Sequence, residues 1–212
     1  MSNVSPPDLL VLHAVRVLGF AEGPVVAARF GLDPDETAEL LLDAEASGWV
    51  SRGEFAGHRG WSLTEAGVAE NERQLSGELV RAGAVERVRE VYREFLPWNA
   101  RLQRACTDWQ LKPLSGDRFE PNDHADPSWD EGVLGSLGEI DDALAGLDRR
   151  LTSVLARFGG YHRRFGEALR RAHGGERAWV DRSDIDSCHR VWFELHEDLV
   201  ATLCIDRASE TP

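Results

Sequence analysis

The chain has 212 residues, 42% of them hydrophobic, which is enough for one large domain or two small domains with their own cores. It carries 24 Lys and Arg against 37 Asp and Glu, a formal net charge of −13, which disfavours sequence-independent binding to nucleic-acid phosphates. It has neither an apolar run long enough to span a membrane nor a signal-peptide pattern, and its three cysteines have no paired spacing, so a reduced cytoplasmic protein is expected.

Short helices and a hairpin are predicted in the first third of the chain. The predicted elements are, in chain order, helices over 8–18, 23–31 and 34–47, strands over 49–55 and 61–63, and a helix from residue 65. Asp33 is expected to cap the third helix, with Pro34 in its first position. The residues between the strands, 56–60, predict a polar turn, and Thr64 predicts the cap of the fourth helix.

This order of elements is that of a winged helix-turn-helix. The glycine stop at Gly48, the aromatic Trp49, the basic pair His58-Arg59 and the run Leu-Thr-Glu-Ala-Gly over 63–67 resemble the DNA-binding domain of MarR- and PadR-type regulators. The resemblance implies a winged helix over 1–76, with a recognition helix over 34–47 and a wing over 52–60. It also implies a homodimer that pairs through helices outside the wing.

The remaining residues, 77–212, are expected to form a helical domain of long heptad-patterned helices, interrupted by an irregular loop over 111–129. The first apolar seam comprises Val85, Val88, Tyr92, Phe95, Asn99, Leu102, Cys106 and Trp109, and the second comprises Val133, Leu137, Ile140, Leu144, Leu147, Leu151, Val154 and Phe158. At Pro97 a kink is expected rather than an end of the helix. The two seams are compatible with a bundle inside one chain or with a homodimer.

DNA binding is predicted from the resemblance and opposed by the local charge. The candidate DNA contacts are Thr37, Arg52, His58 and Arg59. The third helix contains no Lys or Arg, and Glu39 stands where arginine is usual in the family that the sequence resembles. Residues 1–75 contain five arginines against twelve acidic residues, a net charge of −7. A winged helix that contacts a protein is therefore the alternative to one that contacts DNA.

The last helix is predicted from a cap at Ser183 to about residue 205. A helical wheel puts His189 and His196 on its apolar face and puts Glu194 and Asp198 on the opposite face. Each histidine is either a core residue with a hydrogen-bond partner or part of a polar pocket for a small-molecule effector or a metal. The candidate ligand-binding residues are His189, His196, Phe193, Trp192, Asp123 and His124.

Four arginines at positions 163, 164, 170 and 171 occupy one side of a predicted helix over 161–173. They form either a solvated surface with internal ion pairs or an anion-binding ridge, whose members are Arg163, Arg164, Arg170 and Arg171. The C-terminal segment 161–199 also resembles actinobacterial proteins described as transcriptional regulators. Motifs of enzymes and the ligand spacing of metal sites are absent from the sequence, so we expect a regulator without a cofactor and not an enzyme.

Overall fold

The computed structural model describes residues 2–55, 57–113 and 118–205, and within them the chain is mainly helical. The elements that build its N-terminal part are α1 (Pro7–Leu18), α2 (Gly23–Phe30), α3 (Pro34–Ala46), β1 (Val50–Phe55), β2 (His58–Leu63) and α4 (Glu65–Arg81). The later elements are α5 (Val85–Gln110), β3 (Leu111–Pro113), β4 (Phe119–Pro121), α6 (Pro127–Val154), α7 (Tyr161–His173) and α8 (Cys188–Leu203). Within these ranges, every helix is too short or too polar to span a lipid bilayer.

Local side-chain chemistry explains where α3 and α4 begin. The carboxylate of Asp33 accepts hydrogen bonds from the main-chain N–H groups of Asp35 and Glu36, and the Thr64 hydroxyl accepts one from Gly67. Both caps satisfy amides that the first helical turn leaves without partners. The predicted caps at Asp33 and Thr64 are therefore confirmed.

β1 and β2 form an antiparallel hairpin in which Val50 pairs with Leu63 and Phe55 pairs with His58. The basic residues His58 and Arg59 therefore lie in β2 itself. The prediction of a turn over the whole of 56–60 was wrong, because the second strand starts three residues earlier than expected. Residue 56 lies outside the described residues.

The described residues divide into two compact units that differ from the predicted division after residue 76. The first unit takes its residues from 2–89, 152–157 and 194–205, and the second takes them from 90–151 and 158–193. In the first unit, a core around Val15, Val26 and Leu41 joins α1, α2 and α3 to the hairpin. A smaller cluster joins Leu9, Leu75 and Ala201.

The second unit has an aromatic centre. The Trp192 ring stacks on Phe95 with the ring centroids 4.7 Å apart, and its Nε1–H donates to Oδ1 of Asn99 at 3.1 Å. The polar residue of the first predicted seam thus has a partner inside the same chain. The helix continues through Pro97 rather than ending there, as predicted, and the kink at Pro97 stays a prediction. Most residues of both seams are buried within the single chain, and the homodimer stays a prediction.

Two predicted boundaries need correction. The irregular loop over 111–129 instead contains the short β3–β4 pair and the first turn of α6, while residues 114–117 lie outside the described residues. The last helix begins at Cys188, not after Ser183. The segment before it forms turns, and the Ser187 hydroxyl accepts from the N–H of Arg190 and so occupies the capping role.

Candidate functional site

The outward face of α3 is acidic. The exposed residues of α3 include Asp35, Glu36, Glu39 and Asp43, and the helix contains no Lys or Arg. Leu42 lies on the same face and is 49% exposed. This surface, which we call the α3 acidic face, combines a half-exposed apolar side chain with carboxylates around it. Such a surface repels phosphate groups and attracts cations.

The prediction that Thr37 contacts DNA is wrong, because this residue is buried. It lies on the inward face of α3 together with Leu41 and Ala44, and only 1% of its surface is exposed. A hydroxyl in that position cannot reach a groove of DNA while α3 remains packed on its neighbours. The sequence prediction failed here because it assigned Thr37 by its place in the helix rather than by the face on which it lies.

The three hairpin residues predicted to contact DNA lie near carboxylates. Arg52 donates to Oε2 of Glu45 at 2.8 Å and lies over the Trp61 ring. His58 Nδ1 lies 3.3 Å from a Glu22 oxygen, and Arg59 Nε lies 3.9 Å from one of Glu54. The side chain of Arg59 is nevertheless 91% exposed and that of His58 70%, so both are accessible to a partner.

A buried polar cluster in the first unit was missed by sequence reasoning. Arg157 donates from Nε to Glu78 at 2.9 Å, from Nη1 to Asp198, and from Nη2 to the Thr202 hydroxyl at 2.8 Å. His13 Nε2 lies 2.9 Å from Oδ1 of Asp198. The side chains of His13, Arg157 and Asp198 have no exposed surface.

Burial and charge act against each other in this cluster. Burial raises the pKa of Asp198, but Arg157 and His13 outweigh that effect and hold the pKa well below its usual range. Burial lowers the pKa of His13, and Arg157 adds to the lowering, while the Asp198 carboxylate opposes it; the net shift is downward. The cluster is therefore a carboxylate held by an arginine and by a histidine that favours its neutral form.

The helical wheel of the last helix predicted the opposite exposure for several residues. Glu194 and Asp198, assigned to the solvent side, are 1% and 0% exposed, and Phe193, assigned to the apolar side, is 49% exposed. The only signal that could have found Asp198 is its i, i+4 spacing from Glu194 and Thr202. Its cationic partner Arg157 is 41 residues away in sequence, and no local pattern links the two.

A second polar group fastens the start of α6 to the end of α5. The side-chain amide of Asn122 donates to the Trp109 carbonyl at 3.0 Å and to Asp130 at 3.0 Å, and His124 Nδ1 lies 2.9 Å from Asp130. Burial raises the pKa of Asp130, but the hydrogen bonds from Asn122 and His124 outweigh it and lower the pKa overall. Trp109 packs against the imidazole of His124.

The predicted ligand-binding residues have different placements. Trp192 is a core residue with 1% exposure, its indole N–H bonded and its ring stacked, so it is withdrawn as a ligand contact. His124 is engaged by Asp130, and the exposed Asp123 accepts from the N–H of Ala125. His189 and His196 are half-buried, and they stay predictions.

The predicted arginine ridge contains internal ion pairs. Arg170 and Arg171 both bond to Glu167, and Arg171 also lies over the Trp179 ring. Arg164 pairs with Asp186 at 2.7 Å, and Arg163 is exposed. These contacts favour the solvated surface with internal ion pairs over an anion site. The anion-binding role stays a prediction.

Cysteine chemistry offers no reactive group in the second unit. Burial raises the pKa of Cys106 to about 12, and burial also raises the pKa of Cys188 far above its usual range. A thiol with a raised pKa is protonated at neutral pH and is a poor nucleophile. Within 2–55, 57–113 and 118–205, no three His, Cys, Asp or Glu side chains come together as a set of metal ligands.

Comparison with protein-family models, with curated proteins and with solved structures finds no match for this chain.

Proposed function

We propose that α1 to α4 and the β1–β2 hairpin form a winged helix that acts as a protein-binding module, with the α3 acidic face as the surface that contacts a basic partner. The order helix, helix, helix, hairpin, helix supports the winged-helix assignment. The observation that carries the function is the charge of α3, whose outward face offers carboxylates and a half-exposed leucine but no cation.

Stabilisation of the helix alone does not account for these carboxylates. Asp35 and Glu36 occupy the first turn, where negative charge interacts favourably with the helix N-terminus. Glu39 and Asp43 lie beyond that turn, where this effect has faded. They flank the exposed Leu42, and an apolar contact surrounded by charges is the usual composition of an interface centre and its rim.

Site-specific photo-crosslinking in living cells tests this proposal. A photoreactive residue at Ala38, exposed beside Leu42, is expected to capture a protein of basic composition. The same residue at Ala125, exposed in the other unit, is the control and is expected not to capture it. Capture of DNA at Ala38, or capture of the same protein from both positions, would contradict the proposal.

Charge reversal gives an independent measurement on the captured partner. Glu39→Arg should weaken its binding at least tenfold, because an attraction becomes a repulsion at the centre of the face. Glu131→Arg makes the same change of charge on an exposed residue of α6 and should leave the affinity within about twofold. Raising the salt concentration should weaken the wild-type complex and reduce the difference between the two variants.

DNA binding through the hairpin is the second candidate function, and the exposure of Arg59 and His58 favours it. A DNA-binding regulator would hold the wing against the backbone or the minor groove. Fluorescence anisotropy against duplex DNA from upstream of its own gene, at several salt concentrations, tests this candidate. Salt-dependent binding that Arg59→Ala weakens would support it and would count against the acidic face as the principal contact.

We further propose that the helices after α4 bind an effector or set the geometry of a homodimer. The half-buried His189 and His196 support a polar surface on α8. Most residues of the α5 and α6 seams are buried within the single chain, so a homodimer would pair through other surfaces of these helices.

A further inference from the structure

An open groove of about 410 Å³ lies between α5 and α6, wholly within the second unit. Its volume is within the range of small-molecule sites. From α5 the groove is lined by Arg101, Arg104, Ala105 and Asp108, and from α6 by Ser128, Trp129, Gly132, Val133 and Ser136. Of these residues only Val133 was singled out in the sequence, as a member of the second apolar seam.

The groove contains one unengaged positive charge and one unengaged negative charge. Arg101 is already used, because its Nη1 lies 2.6 Å from Glu139 and its guanidinium lies over the Trp98 ring. Among the described residues, neither the Arg104 guanidinium nor the Asp108 carboxylate has a hydrogen bond or an ion pair. These two groups lie one turn apart on α5, on the same side of the helix.

An aromatic wall is fixed beside these charges. The indole Nε1–H of Trp129 donates to the main-chain carbonyl of Asp108 at 2.6 Å, which holds the ring against α5. Ala105 and Val133 are buried and provide apolar surface, while Gly132 has nothing within 4 Å of the position that a Cβ would occupy. The polar group of Asn122, His124 and Asp130 further holds the start of α6 in place.

The amides at the start of α6 do not supply the site. The carboxylate of Asp126 accepts from the N–H groups of Ser128 and Trp129, so these amides already have a partner. An anion in the groove would depend on Arg104 and would meet the negative charge of Asp108. A ligand with only a positive charge would pair with Asp108 but would meet the positive charge of Arg104.

We propose that this groove binds a zwitterionic α-amino acid with an apolar side chain. Its carboxylate pairs with the guanidinium of Arg104, its ammonium group pairs with the carboxylate of Asp108, and its side chain packs on Trp129. Both charges of the ligand are then matched by charges that otherwise lack partners. The proposal is independent of the α3 acidic face, which belongs to the other unit.

Calorimetric titration of the full-length protein tests the proposal with three probes. L-phenylalanine carries both charges, N-acetyl-L-phenylalanine lacks the ammonium group, and L-phenylalaninamide lacks the carboxylate. L-phenylalanine is expected to bind, and each of the other two is expected to bind at least tenfold more weakly, since each loses one charge-assisted hydrogen bond. Absence of L-phenylalanine binding at millimolar concentration, or equal affinity for the three probes, would overturn the proposal.

Two variants assign each charge to its residue. Arg104→Gln should weaken L-phenylalanine at least tenfold and remove its advantage over L-phenylalaninamide. Asp108→Asn should remove the advantage over N-acetyl-L-phenylalanine. Arg93→Gln changes an exposed arginine of α5 outside the groove and should leave all three affinities unchanged. Unchanged affinity in Arg104→Gln, with a circular dichroism spectrum like that of the wild type, would overturn the assignment.

Discussion

Individual residues with the largest expected effect on stability are those of the buried polar cluster. A buried ion pair adds little net stability relative to apolar packing, but removing one partner leaves the other charge without compensation. Arg157 is the centre of this cluster, because it contacts Glu78, Asp198 and Thr202 at once. Because losing one partner costs more than the intact pair contributes, single substitutions of the charged residues in this cluster should lower the stability strongly.

Asp198→Asn should lower the free energy of unfolding by about 3 kcal/mol, because it removes one of the two carboxylates, those of Asp198 and Glu78, that compensate the buried charge of Arg157. Urea unfolding followed by circular dichroism measures the change. Asp184→Asn is the matched control, since Asp184 is an exposed partner of Arg182 and its loss should change the stability little. Equal effects of the two substitutions would contradict the cluster's role.

His13 should make stability fall as the pH drops below about 6.5, because the unfolded chain binds a proton that the folded state, with its lowered pKa, does not. The carboxylate of Asp198 has a lowered pKa, so its contribution is present above about pH 4 and is lost only in stronger acid. The two groups therefore act in separate pH ranges.

Urea unfolding at several values between pH 7.5 and about 5 isolates His13. In His13→Gln the decline of the unfolding free energy with falling pH should be shallower by as much as about 1.4 kcal/mol per pH unit. His58→Gln removes an exposed histidine of the hairpin and is the control with which the slope of His13→Gln is compared. A slope in His13→Gln equal to that of the wild type would show that His13 takes up its proton in the folded state.

At the scale of elements, the step from the hairpin into α4 depends on a close backbone approach. A Cβ placed on Gly67 would lie 1.8 Å from the carbonyl oxygen of Trp49. The same carbonyl accepts from the N–H of Thr64, the residue that caps α4. A side chain at this position of the Leu-Thr-Glu-Ala-Gly run would clash with the main chain of Trp49, which explains the glycine.

Gly67→Ala should lower the free energy of unfolding by about 2 kcal/mol or more, because main-chain atoms must move to relieve the clash. Gly77→Ala is the control within the same helix, where the nearest atom is the flexible end of Arg81. Removing that helical glycine should instead stabilise the protein by up to about 1 kcal/mol. Thermal unfolding of both variants measures these changes in stability. A Gly67→Ala variant as stable as the wild type would contradict the close approach.

Across the molecule, each of the two units is built from segments that are not contiguous in the sequence. The first unit takes its buried cations and carboxylates from segments far apart in the sequence. His13 and Glu78 come from the N-terminal segment, whereas Arg157 and Asp198 come from the other two. The winged helix that we propose is therefore completed by residues beyond its own segment.

A fragment that ends at residue 89 should unfold at a clearly lower temperature than the full chain, or show no cooperative transition. It would leave Glu78 and His13 buried without Arg157 and Asp198, and Leu75 without Ala201. Differential scanning calorimetry of the fragment and the full chain measures this. A fragment with the transition temperature of the full chain would show that the N-terminal segment is stable by itself.

Local features of this protein could be predicted from its amino-acid sequence. The caps at Asp33 and Thr64, the glycine stop after α2 and the span of α7 were predictable, because they rest on steric rules and on hydrogen bonds between residues a few positions apart. The acidic character of α3 was also readable from composition alone.

The burial of individual polar groups, by contrast, depends on how distant segments pack together and could not be predicted from the sequence. Thr37 turned inward because α3 packs on α1 and α2, and Asp198 became a core residue because Arg157 arrives from a distant segment to neutralise it. The groove with Arg104, Asp108 and Trp129 likewise depends on α5 and α6 lying side by side. Charge pairing across long sequence separations leaves no periodic pattern, so a single sequence carries no signal for it.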